Sequence, residues 1–110
     1  MSTNRVLALP LETFDSGTLT GGFDLAYNGL PRAIFLIRII NDSDQDVKVS
    51  YDGIDDHDIV IADRTLEINF QTNNHPRSHV ALLPSGTKIY LRGPGQGGAG
   101  NIYLTGYYVV

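Results

Sequence analysis

Apolar residues in this chain recur at every second position. That spacing restricts the chain to strands, because a strand brings every second residue to one face whereas a helix brings every third or fourth. Val47, Val49 and Tyr51 alternate with Lys48 and Ser50; Leu66, Ile68 and Phe70 alternate with Glu67 and Asn69; Ile89 and Leu91 alternate with Lys88, Tyr90 and Arg92. Each set reads as a strand with one face on a core. Ile59 and Ile61 form a shorter version. Residues 33–40 are apolar at both parities and rich in β-branched side chains, which suits a central strand covered on both faces. Arg38 in that run then needs a partner or a route to water. Near the end of the chain, Ile102 and Leu104 share one parity and Tyr103, Tyr107 and Val109 the other. A chain that stops inside such a strand predicts that the strand is paired or covered.

Turn chemistry separates these runs: Asn28-Gly29-Leu30-Pro31, Asn41-Asp42-Ser43, Asp52-Gly53, Asn73-Asn74-His75-Pro76, Pro84-Ser85-Gly86 and Gly93-Pro94-Gly95. The regular spacing predicts an all-β fold, a single β-sandwich, jelly-roll-like or Ig-like, of about seven or eight antiparallel strands. Residues 33–110 form its body. Residues 1–32, with Val6, Leu7, Leu9, Leu11 and then Phe14, Leu19, Phe23, Leu25 and Tyr27 among Gly, Thr and Asp, read as one or two edge strands or an extended arm of the same domain.

The 110 residues, 42% hydrophobic and 18% charged, fit one globular domain. No apolar stretch approaches the roughly 20 residues that a membrane-spanning helix needs. The first residues lack the continuous apolar core of a secretory signal, so synthesis in a cytoplasm is expected. Without cysteine there is neither disulfide nor thiolate metal site, which leaves core packing or subunit association to supply stability. The net charge of -4 is unevenly spread: Asp42, Asp44, Asp46, Asp52, Asp55, Asp56, Asp58 and Asp63 face Lys48 alone, whereas Arg64, Arg77, Lys88 and Arg92 follow with only Glu67 against them. Nucleic acid is not an expected partner. The two charge territories can attract one another between subunits.

Four constellations invite a chemical reading. Asp42, Asp44 and Asp46 resemble the opening of a calcium loop and are the metal candidates. Val47 stands where that loop needs glycine, and Gly53 where it needs a bidentate glutamate, so a solvated hairpin turn is the expected structure. Asp52-Gly53-Ile54-Asp55-Asp56-His57-Asp58 places carboxylates beside an imidazole. The favoured reading has Asp52 and Asp56 bonding backbone amides of their own loop. His75 and His79 are spaced for one helical face, which Pro76 removes. Gly93-Pro94-Gly95-Gln96-Gly97-Gly98 fits the dinucleotide pattern but has no helix after it, so a loop or hairpin tip is expected. No nucleophile stands with a base and an acid, so no enzyme activity and no cofactor are expected. The sequon Asn41-Asp42-Ser43 has no secretory context and carries no weight.

The stretch Ile39-Ile40-Asn41-Asp42-Ser43-Asp44-Gln45-Asp46-Val47-Lys48-Val49-Ser50-Tyr51-Asp52-Gly53, followed by Asp56-His57 and by Pro84-Ser85-Gly86-Thr87-Lys88-Ile89-Tyr90-Leu91-Arg92-Gly93, resembles a group of small β-sandwich structural proteins of tailed bacteriophages. The likeness runs over residues 34–108. It implies a virion structural role, as a subunit decorating the capsid or forming a ring or lattice in the neck or tail, with partners that are copies of itself and capsid, portal or tail proteins. The resemblance implies inter-subunit contacts through the amino-terminal segment and the last strand. Candidates are Val6, Leu7, Leu9, Tyr103, Tyr107 and Tyr108, with Arg77 and Arg92 as charged contacts. The alternative is a binding module whose loops hold a glycan or a receptor through Tyr51, His57, His75 and Tyr90.

Overall fold

The structure, a computed structural model, describes residues 5–70, 82–94 and 98–110. Nine strands follow one another along the described chain: β1 (Val6–Ala8), β2 (Glu12–Asp15), β3 (Asp24–Tyr27), β4 (Leu36–Ser43), β5 (Val47–Ser50), β6 (Asp58–Val60), β7 (Thr65–Asn69), β8 (Ile89–Arg92) and β9 (Gly100–Val109). A short 3-10 turn, Ser16–Thr18, is the one helical element among the described residues. The first sheet has the order β1-β9-β4-β7, with β2 also on β9, and the second the order β3-β8-β5-β6. Every pairing is antiparallel, and the two sheets pack as a β-sandwich.

The core lies between the sheets and is built by the alternation that marked the strands. Ile37 and Ile39 of β4, Ile102 and Leu104 of β9, Val47 and Val49 of β5 and Ile89 and Leu91 of β8 are all buried. Removing such a side chain from water contributes roughly 1.5–3 kcal/mol each. Leu66, Ile68 and Phe70 pack against this core from one edge. Gly106 of β9 serves close approach: a Cβ there would stand 2.7 Å from Cδ1 of Ile34.

Several elements depart from the sequence expectations. Over their described part, residues 1–32 form edge strands rather than an extended arm, three of them instead of one or two. β1 and β2 lie end to end along β9, β3 pairs with β8, and Leu9, Leu19 and Tyr27 are buried in the core. Among the described residues, the run expected to be covered on both faces is covered by a strand layer on one only: Ile37 and Ile39 point to the second sheet, while Leu36, Arg38 and Ile40 stay half-buried on the outer face. β6 takes the opposite parity from the one expected. Its Val60 is buried opposite Val47, and Ile59 and Ile61 are exposed, because both parities are apolar there and the partner strand decides. β5 ends at Ser50, and Tyr51 leaves the ladder.

Asn41-Asp42-Ser43, expected as a turn, continues β4 to its end. The physical reason is a buried polar knot. Asn41 Nδ2 donates to the carbonyls of Gln45 (2.8 Å) and Val60 (2.9 Å), and Ser43 Oγ donates to Asn41 Oδ1 at 2.5 Å. These bonds satisfy the polar side chains that the strand carries inside and tie β4 of one sheet to β6 of the other. Asn41 is therefore unavailable as a glycosylation acceptor. The link to β5 is a crossing between sheets rather than a hairpin, and the Gly-rich stretch likewise joins β8 of the second sheet to β9 of the first.

Candidate functional site

Alternation that puts isoleucine and leucine inside the first sheet leaves the other parity outside. Cross-strand register arranges it in rows: Ala8-Tyr107-Leu36-Asn69, then Thr105-Arg38-Glu67, then Thr13-Tyr103-Ile40-Thr65. No described strand lies over these rows. Val6 and Val109, paired with each other, continue the face with 58% and 44% exposure, and Leu11 adds 57%. Arg38 sits at the centre. Its Nε donates to Glu67 Oε2 at 3.1 Å, Nη1 donates to the Tyr107 hydroxyl at 3.3 Å, and the guanidinium lies 5.6 Å from the Tyr107 ring centroid. The outer face thus combines aliphatic and aromatic surface with one ion pair. Near one end, Leu11, Ile40 and Tyr103 line an apolar depression of about 420 Å³ rimmed by Asp42, Asp63 and Arg64.

Not every contact expected from the sequence lies on that face. Val6, Tyr103 and Tyr107 do. Leu9 is only 4% exposed and belongs to the core, so it cannot reach a partner. Leu7 and Tyr108 pair on the inward parity; Tyr108 packs on the core with the Arg32 guanidinium 5.2 Å from its ring centroid. Arg92 is committed within its own chain. Nε donates to Asp56 Oδ1 at 3.1 Å, Nη2 donates to Oδ2, and the guanidinium lies 5.2 Å from the Phe23 ring centroid. The acidic and basic territories therefore meet inside one subunit through Asp56 and Arg92. Arg77, His75 and His79 lie outside the described residues, as do residues 95–97 of the glycine motif.

Asp42, Asp44 and Asp46 do not converge. Asp44 Oδ1 accepts the Ala99 N–H and Asp46 Oδ1 the Ala62 N–H, both at 2.9 Å, while Asp42 lies on β4 opposite Asn101 of β9, within the first sheet. Among the described residues no group of three or more His, Cys, Asp or Glu side chains is placed to hold a metal.

The Asp52 loop follows the reading favoured from sequence, with one change. Asp52 Oδ1 accepts from Ile54 N (2.8 Å), Asp55 N (3.1 Å) and Ser50 Oγ (3.0 Å), and Ser50 Oγ accepts from Gly53 N at 2.9 Å. The Ile54 and Asp55 amides hold the Asp52 carboxyl below the usual carboxylate range. Asp56 bonds no loop amide. It pairs with Arg92, which lowers its own affinity for a proton, and Lys48 Nζ stands 4.0 Å away. The loop folds back on Tyr90: Gly53, at φ 75°, carries no Cβ, and one added there would stand 3.0 Å from Tyr90 Cε1.

No family model matches the chain, and neither does any curated protein or solved structure.

Of the residues expected to serve a binding module, Tyr51, His57 and Tyr90 make contacts within the chain, and His75 lies outside the described residues. Tyr51 donates its hydroxyl to Asp58 Oδ2 at 2.8 Å and stacks on His57, centroid to centroid 5.5 Å. Burial, reinforced by Asp58, pushes the Tyr51 phenol well above its ordinary range and keeps it a donor. His57 Nδ1 accepts the Tyr51 N–H at 3.1 Å, and Tyr90 lies beneath Gly53. The cross-strand rows of the first sheet were the signal that sequence parity alone missed, since they depend on which strands become neighbours.

Proposed function

We propose that this protein is a non-enzymatic structural subunit of a bacteriophage virion, assembling with copies of itself into a ring or lattice through the outer face of the first sheet. The carrying observation is that face: Val6, Leu11, Leu36, Ile40, Tyr103, Tyr107 and Val109 form one side of a sheet on which no described layer rests. Aromatic and aliphatic side chains of this kind concentrate in the buried centres of protein interfaces. The central Arg38–Glu67 pair presents both signs of charge, so two copies can meet there without net repulsion. Placement in a virion, with capsid, portal or tail proteins as neighbours, is supported by the resemblance over residues 34–108.

Replacing Tyr103 by Glu tests the reading. The side chain lies on the outer parity, so the fold should survive while a charge enters the contact. The expected result is loss of assembly, measured by light scattering, with an unchanged circular dichroism spectrum. An assembly that persists in Tyr103→Glu would remove this face from the account.

A further inference from the structure

A different surface carries polar chemistry that the assembly reading does not use. Register in the second sheet sets Lys48 beside Arg92 on one side and Ile59 on the other, so three adjacent strands place these residues in one row on the outer face. The crossing from β4 to β5 brings Asp44 and Asp46 to the end of that row, and Pro94 closes the rim. Together they line a cleft of about 540 Å³. That volume lies within the range of small-molecule sites, roughly 300–1,000 Å³.

The side chains are held before any ligand arrives. Asp44 and Asp46 each fix one carboxylate oxygen on a backbone amide, of Ala99 and Ala62, which leaves the second oxygen as an oriented acceptor. Arg92 is locked by Asp56, whereas Lys48 is half exposed, with Nζ 4.0 Å from the same carboxylate, and keeps donors to offer. Ile59, 49% exposed, supplies an apolar wall.

An anion entering this cleft meets Asp44 and Asp46, and a cation meets Lys48 and Arg92. A hydroxyl group suits both sides, because it donates to a carboxylate and accepts from an ammonium. We propose that the cleft binds a polyhydroxylated ligand, a mono- or disaccharide, with hydroxyls shared between Asp44, Asp46 and Lys48 and a ring face on Ile59.

The test is an amide NMR titration of the full chain with glucose, galactose, mannose, N-acetylglucosamine and rhamnose, with sodium phosphate and ammonium chloride as controls. Saturable shifts centred on the Ala62 and Ala99 amides are expected with at least one sugar. Lys48→Ala and Asp46→Asn should each weaken binding by about tenfold, the loss of a charge-assisted hydrogen bond. Asp46→Asn keeps an oxygen for the Ala62 amide, so the fold is preserved. No saturable shift with any of the five sugars, an equal response to either salt, or binding indifferent to both substitutions would overturn the proposal. None of these readouts depends on whether the chain assembles.

Discussion

Replacing Asn41 by Ala should be among the most damaging changes of a single polar residue, although it removes no apolar side chain from the core. Asn41 is 1% exposed and its amide makes two hydrogen bonds, one to Gln45 O and one to Val60 O. Each such bond contributes about 0.5–1.5 kcal/mol net, and a buried carbonyl left without a donor costs about 1–3 kcal/mol more. Losing both bonds, with Gln45 O still 3.3 Å from the Ser43 hydroxyl and Val60 O losing its side-chain donor, gives about 2–4 kcal/mol. For a domain whose total stability is about 5–15 kcal/mol, that is a large fraction. Ser43→Ala removes the hydroxyl that donates to Asn41 Oδ1 at 2.5 Å and should cost about 1 kcal/mol by itself. The two losses share one network, so the double variant should cost less than the sum. Equilibrium urea unfolding measures all of them. An Asn41→Ala loss below about 0.5 kcal/mol, or strict additivity with Ser43→Ala, would refute the claim that this knot couples the sheets.

Two further perturbations follow from the packing and the electrostatics. Gly106→Val drives a branched side chain into Ile34, whose Cδ1 would already stand 2.7 Å from a Cβ, and should cost about 1–3 kcal/mol in the same unfolding assay. Acid should weaken the fold in a defined direction. The folded-state pKa values of Asp52 and Asp56 lie below their unfolded ones, so their contribution is complete above the unfolded value, about 4, and is lost as pH falls through the folded values. Thermal melts from neutral pH downward should show this loss, and Asp56→Asn should make the acid limb shallower; an unchanged limb would contradict the pairing with Arg92.

The strands were legible wherever one parity alone was apolar. Val47, Val49, Ile89 and Leu91 point inward as alternation requires, because polar neighbours on both sides leave no other register. Ile59-Val60-Ile61 defeats the same rule: every parity is apolar, and the choice falls to Val47 across the ladder. Asn41 and Ser43 look like turn formers in sequence, yet a strand can hold them when carbonyls from distant segments accept their donors. The fate of Asp56 was equally hidden. Its partner, Arg92, is distant in sequence and is brought close by strand order, whereas Asp52 bonds amides within its own turn and could be read locally. The outer face of the first sheet belongs to the same class, since Tyr103, Ile40 and Thr13 become neighbours only once β9 is flanked by β4 and β2.

That face carries the account, and its occupancy is best measured by sedimentation of the full chain over a wide concentration range. Assembly through the first sheet predicts a mass that rises above that of one chain and reaches a fixed multiple or an open series as concentration increases. The mass of a single chain at every concentration would contradict it.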